Sequence, residues 1–152
     1  MLSKVFVREF YRMNSGFFLL LAALAFGFMS EVEHVALAQF FVSSRATLLI
    51  PVCIWIAYAF KILAFNARQL KADEMRFLFN LQFLPFRDQL ALSALIILLQ
   101  FMPALCYGFF LMLIGWKMKA GESVIILPLT MAVIWSGCSR LMTRNLRHPF
   151  ND

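Results

Sequence analysis

Groups that can hold a proton, a metal or a nucleophilic electron pair are few in this chain, and their spacing argues against chemistry. All eight carboxylates, Glu9, Glu31, Glu33, Asp73, Glu74, Asp88, Glu122 and Asp152, fall outside the middles of the long apolar runs. A buried acid coupling protons to transport is therefore not expected. His34 and His148 fall on opposite membrane faces in the threading given below, and neither H-E-x-x-H nor a Cys/His cluster occurs, so no metal site is expected. Cys53, Cys106 and Cys138 each sit in a different apolar run without a C-x-x-C, and read as small buried hydrophobes rather than a redox pair. There is no G-x-x-x-x-G-K-[ST] to hold a nucleotide and no G-x-S-x-G, and Ser136 and Ser139 have no His or Lys within their run to act as base. No catalytic residue and no cofactor is expected.

Two sets of polar residues remain. Within the apolar runs lie Gln100, Ser93, Thr130, Ser136 and Ser139. Gln100 is the candidate intramembrane polar contact. Its amide suits a hydrogen bond to a neighbouring helix or to a carbonyl loosened by Pro103, with a substrate path as the alternative use. The second set, Asp73, Glu74, Arg76 and Arg87, surrounds the stretch "RFLFNLQFLPFRDQ" and is a candidate docking patch for a soluble partner.

The elements that would position these groups are written in the hydropathy. Of 152 residues, 62% are hydrophobic and 14% charged, and the mean hydropathy is +0.80; soluble domains run near 45–50% apolar and about 25% charged. This is the composition of an all-α polytopic membrane protein, one bundle over 1–152. Four runs approach the ~18 apolar residues of a span: about 14–30, 46–66, 90–116 and 123–142. A signal-peptide reading of the first run, with Ala36-Leu37-Ala38 imitating a cleavage site, conflicts with the acidic "EVEH" between run and triplet.

Orientation follows from the cations. Lys4, Arg8, Arg12, Lys61, Arg68, Lys71, Arg76, Arg87, Arg140, Arg144 and Arg147 fall on one side of a four-span threading, and only Arg45, Lys117 and Lys119 on the other. The positive-inside rule then places both termini in the cytoplasm, in a bacterial inner membrane. Lys61, near the cytoplasmic end of its run, can extend its stem to the headgroups. The net charge of +6 is explained the same way, without nucleic acid.

Between the second and third spans, Met75, Leu78, Phe79, Phe83 and Phe86 recur at helical spacing opposite Asp73, Arg76, Asn80 and Arg87. They predict an amphipathic helix over about 71–84 lying in the cytoplasmic face. Pro85 should stop it and head the next helix, with Asp88 near the new N-terminus. A second interfacial helix is predicted over about 2–13, and a shorter reentrant or interfacial turn over "VEHVALAQFFVSS".

A basic amphipathic leading helix, two spans, a cytoplasmic amphipathic segment and further spans make an order of elements, over 1–142, that resembles the membrane subunits of ABC-type exporters. Those subunits usually have six spans where four are expected here. The resemblance implies a non-catalytic permease-like subunit working with a separate cytoplasmic ATPase, docked on the segment between spans two and three. The alternative is a small membrane assembly or regulatory protein without transport activity. Either way the expected partners are the lipid bilayer and a second copy or another membrane protein, since Gln100, Gly137 and the pair Ala23 and Gly27 offer contacts that lipid does not satisfy.

Overall fold

Two apolar stretches set the frame. A computed structural model describes residues 2–71 and 84–147, and in it the longest helices are α4, Arg45–Lys71, and α7, Gly121–Arg147, of 27 residues each. At 1.5 Å per residue each is roughly 40 Å long, enough to cross a hydrocarbon core of about 30 Å. Both begin at the same end of the molecule, where Arg45 grips Glu122 through two hydrogen bonds of 2.6 and 2.7 Å. The pair is exposed and contributes little stability; its value is to mark register. The start of α4 is fixed locally, because the Ser44 hydroxyl accepts from the Thr47 N–H while the Thr47 hydroxyl accepts from the Ser44 N–H.

With α4 and α7 starting at one end, the chain between them must return. It does so as α5, Phe86–Gln100, and α6, Met102–Lys117, which are bent by 66° at Phe101. Pro85 caps α5: its carbonyl accepts from the N–H groups of Asp88 and Gln89, and Asp88 sits in the first turn. The centre of the bundle is α7, which packs against α4, α5 and α6. Glycines permit the closest approaches. A Cβ on Gly108 would stand 2.7 Å from Met131 Sδ and 3.2 Å from Trp55 Cζ2, and one on Gly115 would collide with the Ser123 hydroxyl. Although α4 is apolar nearly all round, its buried residues Leu48, Trp55, Ala59, Ile62 and Asn66 keep a helical spacing, so only one stripe faces protein.

The first apolar run is not one helix long enough to count as a span by length. Asn14 ends α1 (Leu2–Met13), and Ser30 starts α3 (Glu31–Val42) with a capping box in which its hydroxyl and Glu33 serve each other's backbone N–H. Between these stops lie only α2, Ser15–Ala22, and a π-helical turn, Ala23–Phe28, roughly 20 Å of helix. The four expected crossings therefore reduce to two helices long and apolar enough to cross a membrane, or three if the bent α5–α6 pair is one crossing. The stretch expected as a short turn after the first run is instead the twelve-residue α3, which seats Ala38, Phe41 and Val42 against α6 and α4.

The leading helix has the expected bounds but a different use. Its apolar face does not meet lipid alone: Phe6 and Phe10 are fully buried, and α1 packs on α4 and α5. Lys4, Arg8 and Arg12 line the opposite, exposed side at intervals of four residues, with Arg12 paired to Glu9. The cysteines also depart from expectation, since Cys53 and Cys106 are exposed and only Cys138 is buried; the first two fall on outward helix faces. All but the ends of the predicted helix 71–84, with Asp73, Glu74 and Arg76, lies outside the described residues.

Candidate functional site

The bend in the third run gathers the most concentrated polar chemistry in the bundle. Pro103 has no N–H, so the Leu99 carbonyl four residues before it has no helical partner. That carbonyl accepts a hydrogen bond of 2.9 Å from the Tyr11 hydroxyl, contributed by α1. The next carbonyl, of Gln100, accepts one of 2.8 Å from the Tyr58 hydroxyl of α4. Two phenols from two other helices thus take over the backbone acceptors exposed by the break. Burial, with a smaller contribution from Cys106, raises the Tyr11 phenol above its ordinary pKa, which keeps it protonated and able to donate.

The Gln100 side chain completes the node. Its Nε2–H donates to Asn66 Oδ1 at 3.0 Å, and Asn66 Nδ2–H donates back to Gln100 Oε1 at 2.8 Å. Both residues are buried, Gln100 at 0% exposure and Asn66 at 1%. Aromatic rings enclose the arrangement: Phe10 meets Tyr11 and Phe65 edge to face at 5.4 and 5.3 Å, and Tyr58 lies 5.4 Å from Phe101. Among the described residues every buried side-chain nitrogen and oxygen has a partner.

A second polar thread ties α5 to α7. Thr143 donates to the Ser93 hydroxyl at 3.1 Å, Ser93 donates to the Gln89 carbonyl, and Trp135 Nε1–H donates to the Ala94 carbonyl at 3.0 Å. Ser139 bonds its own helix at the Trp135 carbonyl, and Thr130 does likewise at Ile126 and Leu127. These hydroxyls act as interhelical or local glue.

Gln100 stands at the centre of the node, whereas Arg87 is exposed in the first turn of α5 and shares nothing with it. Sequence reasoning missed Asn66, Tyr11 and Tyr58. Asn66 lay at the boundary of an expected span and read as its end. The phenols had a signal in Pro103, because an orphaned carbonyl at Leu99 calls for a donor, but nothing local says which helix supplies it. Chemically the node offers neutral amides and phenols already paired with one another. It can hold a break open at a fixed angle, and it can exchange hydrogen bonds if the helices shift. At the far end, the α3–α4 turn and Lys119 to Ser123 line an open cleft around the Arg45–Glu122 pair. No known protein family, curated protein or solved structure matches the chain.

Proposed function

We propose that this is a non-catalytic integral membrane protein that serves as an assembly subunit, lodged in the inner membrane of a bacterium with both termini in the cytoplasm. One observation carries the reading. The arm made of α2 and the π turn has no buried residue in α2, and it presents Leu19 at 70% exposure, Leu20 at 60% and Phe28 at 79%. Its small residues are open as well, with nothing within 4 Å of where a Cβ on Gly16 or Gly27 would stand. A π turn interrupts the regular hydrogen-bond ladder, and such turns concentrate at functional sites. An apolar arm with an uncovered small-residue surface suits the flank of another membrane helix, where close packing supplies what lipid does not. In this reading the run 14–30 enters the bilayer as a fourth membrane segment, beside its partner.

The test is a photo-crosslinking residue placed at Leu20 or Phe28 in native membranes. The expected result is one discrete adduct with a single polypeptide, whose mass distinguishes a second copy from a different protein. Adducts with lipid alone at both positions refute assembly through the arm.

A second reading has its own observation. Helices broken within the membrane are how many transporters expose backbone groups to a substrate, and the third run is broken at Phe101. As a permease-like subunit resembling those of ABC-type exporters, the protein would dock a cytoplasmic ATPase through Asp73, Glu74, Arg76 and Arg87. Reversing the charges of Asp73, Glu74 and Arg76 together should then release a cytoplasmic protein while insertion stays normal. Normal insertion with unchanged partners leaves that segment as an anchor.

A further inference from the structure

Lys61 is the one cation of α4 within the apolar run, near its cytoplasmic end, and its ammonium lies 3.6 Å from the centre of the Phe17 ring on α2. A cation–π contact softens the burial of a charge but brings no negative charge to it. Arg68 lies seven residues further on, two turns along the same face of α4 and about 10 Å away along the axis. It is exposed, and neither it nor Lys61 has an ion pair among the described residues. Between and before them on that face come Ala64 and Ala57, both exposed, which leave a shallow furrow down the helix. The opposite wall is α2. Leu21, one turn above Phe17 on the same side of α2, is 44% exposed, and α2 and α4 are not among the closely packed helix pairs. The result is an apolar wedge between α2 and α4, open to the bilayer, with two cations at one end.

We infer that this wedge binds one anionic phospholipid. The headgroup phosphate lies beside Ala64, between Lys61 and Arg68, and the acyl chains run from there along Ala57 against Leu21. Charge complementarity decides the occupant: two cations at the headgroup end of a span attract an anion, and a phosphate on two acyl chains supplies both the charge and the apolar body that fits the furrow. Zwitterionic lipid would bring its own cation to the same place and is disfavoured. The lipid site is separate from the assembly surface on the outer side of the arm and does not depend on it.

The experiment uses the full chain purified in mild detergent and measured by native mass spectrometry with added phosphatidylglycerol or phosphatidylcholine. The wild type should retain phosphatidylglycerol preferentially. The variant Lys61→Met with Arg68→Gln should lose that preference by about tenfold or more, each cation near an anionic headgroup contributing appreciably. The pair Arg140→Gln with Arg144→Gln, on α7, should leave it intact; equal loss there means diffuse attraction to basic ends and overturns the site. So does an unchanged preference in the Lys61 and Arg68 variant. Should that variant fail to fold, photoreactive phosphatidylglycerol on the wild type decides, with crosslinks expected on peptides covering 17–21 and 57–68. Crosslinks confined elsewhere overturn the proposal, as does a protein bearing an intramembrane acid that copurifies through Lys61 in place of lipid. Because lipid retention is read without any protein partner, failure of the assembly reading leaves this test unaffected.

Discussion

Replacing Asn66 by Leu is the sharpest probe of the node at the bend. The substitution removes both amide hydrogen bonds, of 2.8 and 3.0 Å, and leaves the Gln100 carboxamide fully buried with neither atom served. A buried polar group left unpaired costs about 1–3 kcal/mol. Interhelical hydrogen bonds measured in membrane proteins average nearer ~0.6 kcal/mol and reach about 1.7. Because two bonds break at once in a closed site, a loss of about 2–3 kcal/mol is expected for Asn66→Leu, and a similar loss for Gln100→Met. The double variant should recover most of it, since exchanging both partners for apolar groups of similar size removes the unpaired atoms too. The single losses sum to about 4–6 kcal/mol and the double variant keeps only a small part, so a coupling energy of about 3 kcal/mol or more is expected from the cycle. The assay is reversible unfolding in mixed micelles with rising SDS, followed by tryptophan fluorescence, for which the buried Trp55 is a suitable reporter. Additive losses, with coupling below about 0.5 kcal/mol, would refute the pairing.

Tyr11→Phe and Tyr58→Phe should each cost about 0.5–1.5 kcal/mol and speed hydrogen exchange around the bend, because the Leu99 or Gln100 carbonyl loses its donor; variants as stable and as protected as the wild type would count against the capping role. At α3, the Ser30 backbone N–H first and its hydroxyl second hold the Glu33 carboxyl below its ordinary pKa. That stabilisation is present above the ordinary carboxylate range and is lost as pH falls through the lowered value, so exchange in the first turn of α3 should accelerate on acidification, and Glu33→Gln, which removes the titrating carboxyl, should flatten the dependence. For orientation, a cysteine at Glu33 or Glu122 in a cysteine-free background should react with an impermeant reagent from outside intact cells and one at Glu74 should not; labelling at Glu74 would invert the threading.

What the sequence makes legible here is whatever depends on local pattern. Membrane character, the two long helices, the bounds of α1 and the start of α5 at Pro85 follow from composition, run length and helix-stop chemistry, each confined to a few neighbouring residues. At the first run hydropathy overstates the helix length, because it counts apolar residues without asking where helices stop. Asn14 and Ser30 bound that run and leave only α2 and the π turn between them, and the capping-box pattern Ser30-x-x-Glu33 was readable but belongs to a different rule from hydropathy. Amphipathicity likewise identifies α1 as having an apolar face without saying what the face meets. Lipid and protein are equally apolar, and only the fold shows Phe6 and Phe10 seated on α4 and α5.

The three intramembrane prolines show why the bend was beyond local reading. Pro51, Pro103 and Pro128 each remove the donor for the carbonyl four residues earlier, at Thr47, Leu99 and Val124. Yet α4 and α7 run on through Pro51 and Pro128 as single helices, and only the third run breaks. Thr47 and Val124 lie in the opening turns of their helices, close to the Arg45–Glu122 end, where irregular hydrogen bonding costs least. Leu99 lies in the middle of an apolar run, where a bare carbonyl costs several kcal/mol by the usual estimate for hydrocarbon, of order the stability of a small bundle. A break at that position persists only if other helices bring donors to it. Tyr11 and Tyr58 do so from positions 88 and 42 residues away in the chain. It follows that α1 is more than a surface anchor: by supplying Tyr11 it helps to hold the angle between α5 and α6, and a partner or lipid that displaced α1 would act directly on the bend.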